Sequence, residues 1–211
     1  MKKKILSCLL VLVVAISFMP TSAFAASKAK MTSYYQVYKT GKTVYAAGAK
    51  GIYKVTVKKG KVKKVKMFHY TGHPMGPDSY IYGMKKKGKY LYYVVGSEGM
   101  LWSICRKKTS GKGFKLLVNT NSDEFAIKGK KIYYVYTYET DYGDEIATYR
   151  VMKLNGKSNK KTSTRVSMTS KRSNTSKYSV IIKEHNGYAK DYLKTPKGTY
   201  YLGRVKIDGW D

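Results

Sequence analysis

From residue 34 onward the chain alternates between short apolar or aromatic runs and short polar turns. Tyr90-Leu-Tyr-Tyr-Val-Val95 and Ile132-Tyr-Tyr-Val-Tyr136 are apolar or aromatic at every position, whereas Val62-Lys-Lys-Val-Lys-Met67 mixes valine with lysine. Between the runs lie Thr40-Gly-Lys-Thr43, Lys58-Lys-Gly-Lys61, Lys87-Gly-Lys89, Asn155-Gly156 and Asp208-Gly209. β-branched and aromatic runs bounded by such residues predict strands joined by tight hairpins. Asn-Gly is the strongest of these signals because both turn positions need positive φ. Almost no segment beyond the first 25 residues has the 3.6-residue period of an amphipathic helix.

The stretch Phe125-Ala-Ile-Lys-Gly-Lys-Lys-Ile132-Tyr-Tyr-Val-Tyr136, followed by an acidic loop and Ala147-Thr-Tyr-Arg-Val-Met-Lys-Leu154-Asn-Gly156, sets the pattern for the rest. Gly60, Gly111, Gly156 and Gly209 recur at spacings of 51, 45 and 53 residues, near the period of four-stranded propeller blades. The expected fold is all-β, a β-propeller-like repeat of four-stranded antiparallel blades over residues 34–211. Its units run over 34–79, 80–123, 124–177 and 178–211, three of them complete and the fourth truncated. In the first unit strands are expected over 34–38, 43–47, 51–57 and 62–67. The third closes with a weak strand over 164–168. The fourth has strands over 178–182, 188–193 (poorly patterned) and 199–207, and no closing strand. Residues 26–33, a leader without periodicity, or residues 34–38 would have to complete it; otherwise the blades form an open arc. Continuous apolar strands suit blades covered on both faces, since a sheet wet on one side alternates. Lysines on an outermost strand such as 62–67 blunt edge-to-edge pairing.

The first 25 residues stand apart from this pattern. Lys2-Lys3-Lys4 precedes an apolar run over 5–18, and Ala23-Phe-Ala25 closes the segment. These are the parts of a secretory signal peptide cleaved after Ala25, and the run is shorter than the roughly 20 residues a spanning helix needs. The chain after Ala25 has a single cysteine, Cys105, so no internal disulfide can form. Secretion without disulfides suits a bacterial exoprotein, secreted or held at the cell wall.

Net charge is +30, and +27 without the three lysines of the signal segment. Such a field favours anionic partners. Only five of the 42 basic residues are arginines (106, 150, 165, 172 and 204), and Arg is the residue that reads bases and phosphates bidentately, so the balance argues against nucleic acid. The charge has two readings, solubility with edge protection or adhesion to an anionic cell-wall polymer or membrane surface. For adhesion the candidates are Lys58, Lys59, Lys61, Lys63, Lys64 and Lys66.

Gly129-Lys-Lys-Ile132-Tyr-Tyr134 followed by Thr148-Tyr-Arg-Val151 and a turn glycine resembles the repeat Ile-x-x-x-Gly-x-x-Ile-Tyr-Tyr … Leu-Tyr-Arg-Ile-x-x-x-Gly of the secreted bacterial domain of unknown function 5050. It is clearest over residues 127–156 and 84–113, weaker over 43–60 and 199–209. That resemblance implies a β-propeller similar to that of the low-density-lipoprotein-receptor-related protein, and implies no activity. The fourth unit departs from it, lacking the Ile-Tyr-Tyr strand.

The motifs of catalysis are missing or incomplete. Thr40-Gly-Lys-Thr43 has the tail of a P-loop, but Gln36 stands where its first glycine is required. His69 and His73 have a metal-like spacing that Gly72 and Pro74 take off any helix. Asp141, Asp144 and Glu145, in an acidic loop with Glu139, offer calcium several oxygens without EF-hand spacing; a solvated loop is the alternative. Cys105 sits in an apolar run with no base in view and reads as an inert core residue. Trp102 and the tyrosines suit either packing or sugar stacking. The expectation is a non-enzymatic binding or scaffold module needing no cofactor. A carbohydrate-binding, wall-anchoring repeat is the alternative, faintly supported by Gly-Lys-Tyr90-Leu-Tyr-Tyr93. A secreted hydrolase or lyase comes third, with no catalytic constellation behind it.

Overall fold

The computed structural model describes residues 30–31, 37–49, 51–68, 80–96, 102–122, 124–167 and 177–206. The signal segment, the two-histidine loop and most of the 168–176 connection lie outside these. The described residues form four four-stranded antiparallel sheets and no α-helix. The all-β, propeller-like architecture expected from the hydrophobic pattern is therefore observed.

Blade I contains β2 (Val37–Thr40), β3 (Thr43–Ala47), β4 (Ile52–Lys58) and β5 (Lys61–Phe68). Blade II contains β6 (Tyr80–Lys87), β7 (Tyr90–Gly96), β8 (Trp102–Lys108) and β9 (Lys115–Thr120). Blade III contains β10 (Phe125–Lys128), β11 (Lys131–Glu139), β12 (Glu145–Lys153) and β13 (Lys160–Lys161). Each is ordered as in the chain. Blade IV is composite: β1 (Lys30–Met31), from the leader, pairs antiparallel with β14 (Ser179–His185), followed by β15 (Tyr188–Thr195) and β16 (Gly198–Lys206). The fourth unit thus receives its missing strand from the N-terminus. That strand takes the first position in the sheet, so the run around residues 178–182 forms the second strand rather than the first.

Two strand assignments shift. The first strand of blade I is described over Val37–Thr40, running two residues beyond its expected end, and the expected residues 34–36 lie outside the described residues. The closing strand of blade III is Lys160–Lys161, paired with Val151 and Arg150, and not residues 164–167, which are irregular. Asn155-Gly156 returns the chain early enough for the nearer residues to reach the ladder first.

Three hydrophobic clusters order the blades as IV–I–II–III. Val44, Val55 and Tyr53 of blade I pack with Val180, Leu193 and Leu202 of blade IV. Tyr45 and Ile52 of blade I pack with Leu91, Tyr93 and Val95 of blade II. Tyr92, Val94 and Ile104 of blade II pack with Phe125, Ile132, Tyr134 and Met152 of blade III. Alternate residues of β7 enter different clusters, which is why Tyr90-Leu-Tyr-Tyr-Val-Val95 has no polar position. In β11, Ile132 and Tyr134 face blade II and are buried, while Tyr133 and Val135 on the other face are half-exposed. None of the three clusters joins blade III to blade IV, so by these cores the four blades make an open arc.

The outer strand β5 shows how a local irregularity serves packing. Val62, Val65 and Met67 all lie against the I–IV core, although a spacing of three residues would send Val62 and Val65 to opposite faces. A bulge opposite Thr56 and Val57 leaves Lys63 unpaired and restores the parity.

Blade IV is pinned to blade I by a buried carboxylate. Asp191 is wholly buried; Tyr53 Oη donates to its Oδ2 at 2.7 Å and the Ala49 amide to its Oδ1 at 3.2 Å. Burial raises the Asp191 pKa, and the Tyr53 and Ala49 hydrogen bonds pull the other way. A Cβ at Gly48 would lie 2.3 Å from Asp191 Oδ2 and 2.4 Å from the Tyr53 ring, so only glycine leaves room for the pin. Between blades II and III, Lys85 donates to the Phe125 carbonyl with its ammonium 4.8 Å from the Phe125 ring centre; burial lowers its pKa to about 8.

Cys105 is buried in the I–II core beside Tyr93, and burial pushes its thiol pKa up to about 12. A thiol that is neither exposed nor ionised is a poor nucleophile. Cys105 should remain unmodified by a maleimide in the native protein and react fully in denaturant, as peptide mapping will show. Rapid native labelling would contradict this burial.

Candidate functional site

The sheet topology sorts charge. In a blade of antiparallel strands, the turn after the first strand and the turn after the third emerge at the same end of the sheet. Blades I to III place at that end the turns Gly41-Lys42, Lys59-Gly60, Gly88-Lys89, Ser110-Gly111-Lys112-Gly113, Gly129-Lys130 and Asn155-Gly156-Lys157. Blade IV adds Pro196-Lys197; a Cβ at Gly60 would meet the Lys197 side chain, and Thr195 Oγ1 donates to the Gly60 carbonyl at 2.7 Å. None of the chain's 12 acidic residues falls in these turns. Glu124, Glu139, Asp141, Asp144, Glu145 and Glu184 instead lie towards the opposite end. The fold therefore has a lysine-lined end and an acid-bearing end.

The local reason for the lysine turns is backbone geometry. Gly41, Gly60, Gly88 and Gly129 all have positive φ, the left-handed region that glycine enters without a Cβ penalty. The lysines beside them point into solvent; Lys42, Lys59, Lys89 and Lys130 are all exposed. Several cations stand directly opposite one another across the ladders: Lys58 with Lys61, Lys128 with Lys131, Lys131 with Lys153, and Arg106 with Lys115. Like charges in that position are destabilising. Solubility alone would be served by interspersed charge, so this crowding is a feature that a bound anion would relieve.

Of the residues expected from sequence, Lys58, Lys59 and Lys61 lie at this end, while Lys63, Lys64 and Lys66 run along the flank of β5; all six are exposed. Only the first three join the larger surface. Lys87, Lys89, Lys128, Lys130, Lys131 and Lys153 belong to the same end and did not stand out in the sequence. Their signal was the repeated Gly-Lys turn, which needs the strand order before it becomes a surface.

Asp141, Asp144 and Glu145 are exposed around a turn closed within itself. The Thr140 amide donates to the Asp144 carbonyl at 2.8 Å, and the Asp144 amide to Thr140 Oγ1 at 3.1 Å. Among the described residues, no group of three or more His, Cys, Asp or Glu side chains comes together in a way that could hold a metal ion. Trp102 lies edge-on to Tyr82 with ring centres 4.9 Å apart, against Gly96, where a Cβ would be 2.0 Å from the indole; it packs between strands.

A groove of about 690 Å³ opens in the lysine-lined end between blades II and III. Tyr90 and Leu154 contribute its apolar surface over the buried Tyr92, and Lys87, Lys89, Lys130, Lys131 and Lys153 surround it. The Arg106 guanidinium lies 4.4 Å from the Tyr90 ring centre, and its Nη1 donates to the Leu154 carbonyl at 3.0 Å. Tyr92 Oη donates to the same carbonyl at 3.2 Å. Burial raises the Tyr92 pKa, with Arg106 opposing the shift. Among the described residues, Arg106 Nε is buried and has no hydrogen-bond partner.

The fold and this end together define a propeller-like β-protein with a cationic, partly aromatic face. No family profile matches the chain, and no curated protein matches it. Among solved structures, one from a study of two prolyl endopeptidases, concerned with inter-domain dynamics in catalysis and specificity, aligns at 13% identity and a TM-score of 0.45. The alignment covers 92% of this chain and 33% of the other, so this chain spans about a third of that protein's length.

Proposed function

We propose that the protein is an exported, non-enzymatic binding module of the cell envelope that docks its lysine-lined end on an anionic cell-wall polymer. The observation that carries this reading is the charge polarity: lysine turns from all four blades share one end, and no acidic residue falls among those turns. The N-terminal Lys2-Lys3-Lys4, the apolar run over 5–18 and Ala23-Phe-Ala25 support export with cleavage after Ala25. A sealed Cys105 and acids displayed around an exposed hairpin support binding over hydrolysis. The repeat units belong, on the same proposal, with the secreted family they resemble.

Binding of this kind is screened by salt, since the Debye length falls from about 10 Å at 0.1 M to about 3 Å at 1 M. Co-sedimentation with wall fragments retaining their anionic polymer should show retention at low salt and release by about 0.5 M, where the Debye length has fallen between those limits. The same polymer should raise the melting temperature by relieving the opposed lysines. Salt-insensitive retention, or none at low salt, would sink the proposal. Equal retention on anionic lipid vesicles and loss from wall fragments would move the partner to the membrane.

A further inference from the structure

Resting on that reading of the lysine-lined end, we infer that the groove between blades II and III is a subsite for one repeating unit of a phosphodiester-linked sugar polymer. Charge alone does not require a groove, and flat lysine turns elsewhere on this end would suffice for phosphate. Here the turns part over an apolar floor of Tyr90 from β7 and Leu154 from the turn after β12, with the buried Tyr92 beneath them. Its volume of about 690 Å³ falls within the roughly 300–1,000 Å³ typical of small-ligand sites. The C–H faces of a sugar ring match an aromatic and aliphatic floor, and phosphates on either side match the lysines that border it.

The floor is held in place from both blades. Arg106 and Tyr92 converge on the Leu154 carbonyl, and Lys115 Nζ donates to the neighbouring Asn155 carbonyl at 2.9 Å. Among the described residues the buried Arg106 Nε–H has no acceptor, and a buried donor is costly to leave unmade. A phosphate or hydroxyl oxygen seated against Tyr90 would be its acceptor after a small shift of the guanidinium. A lipid anion fits less well, because an acyl chain needs a longer enclosed apolar slot than a groove bordered by exposed lysines.

Two polymers of matched charge separate the two layers of the proposal: long-chain polyphosphate, which has no sugar, and a poly(hexosyl phosphate). At 0.3 M salt the wild-type protein should bind the sugar polymer about tenfold more tightly, the size of one good aromatic contact. Tyr90→Ala should erase that preference while leaving polyphosphate binding within about twofold, on the same reasoning. Should Tyr90→Ala not fold, the wild-type protein still decides: free hexose 1-phosphate should shift the Arg106 Nε–H resonance, and inorganic phosphate should shift it less. Saturable shifts with the free sugar phosphate but no preference for the polymer would assign the groove to a monomeric ligand and overturn the polymer subsite. Equal affinity for both polymers with an unmoved Arg106 resonance would overturn the groove and leave the lysine-lined end standing. Failure of both polymers to bind at low salt would overturn the groove and the lysine-lined end together.

Discussion

Changing Lys87, Lys89, Lys130 and Lys131 together to glutamate should weaken binding to an anionic polymer by at least about a thousandfold at low salt. Each lysine at an anionic surface contributes about 1 kcal/mol, and reversal removes at least that much four times over. The four side chains are exposed and extend from two adjacent turns of blades II and III. Because Lys131 faces both Lys128 and Lys153 across the ladder, its replacement by an acid relieves repulsion. The variant should therefore melt no lower than wild type, and loss of binding cannot be credited to unfolding. The matched control is Lys63→Glu, Lys64→Glu and Lys66→Glu along the flank of β5. It should weaken binding less than about tenfold, because these charges lie away from the end and are largely screened at that distance. If the flank variant loses as much as the end variant, the contact runs down the side of blade I. Equilibrium binding at two salt concentrations reads both outcomes.

The second large effect is expected at the junction of blades I and IV. Asp191→Ala should lower stability by about 3 kcal/mol, because it strands the Tyr53 hydroxyl and the Ala49 amide in a buried site and leaves a cavity between blades. Asp191→Asn keeps an acceptor and removes the buried charge, so it should be at least as stable as wild type near neutrality. The pH dependence has a definite sign. Burial raises the folded pKa of Asp191 above its ordinary value, so at pH values between the two the native state holds a proton that the unfolded chain has released. The contribution of this group is therefore fully present below the ordinary carboxylate range, and is lost as pH rises through the elevated folded value. Urea unfolding across that range should show a wild-type component that declines with rising pH and is absent in Asp191→Asn. A component of opposite slope would mean that hydrogen bonds to the carboxylate outweigh its desolvation.

The same junction shows how the chain's two ends collaborate. The leader strand Lys30–Met31 is the first strand of the blade that ends at β16, and that blade packs on the blade beginning at Val37. This arrangement makes the first and last parts of the chain spatial neighbours and ties the arc at the I–IV junction. No hydrophobic period marks Lys30-Met31, because a two-residue strand has too few positions to show one. The pairing depends on the first place in the last sheet being unfilled by its own unit.

Much of the architecture was legible along the chain because a blade strand imposes strong local demands. A strand covered on both faces needs apolar residues at every position, as in β7, and a tight hairpin needs a residue tolerant of positive φ, as at Gly88 and Gly129. Those demands are local, so they are written locally: four units, their hairpins, and a core position for Cys105 follow from the order of residues alone. The bulge at Lys63, the buried Asp191 and the groove floor of Tyr90 and Leu154 over Tyr92 were not legible, because each joins residues from separate strands or blades. The charged end belongs with them. Gly-Lys turns are visible one at a time, but only the up-and-down course of the strands brings them to one end and displays the acids towards the other. Charge acts through space and strands through sequence neighbours, which is why the chain spelled out its blades while the tertiary structure alone decided where its lysines meet.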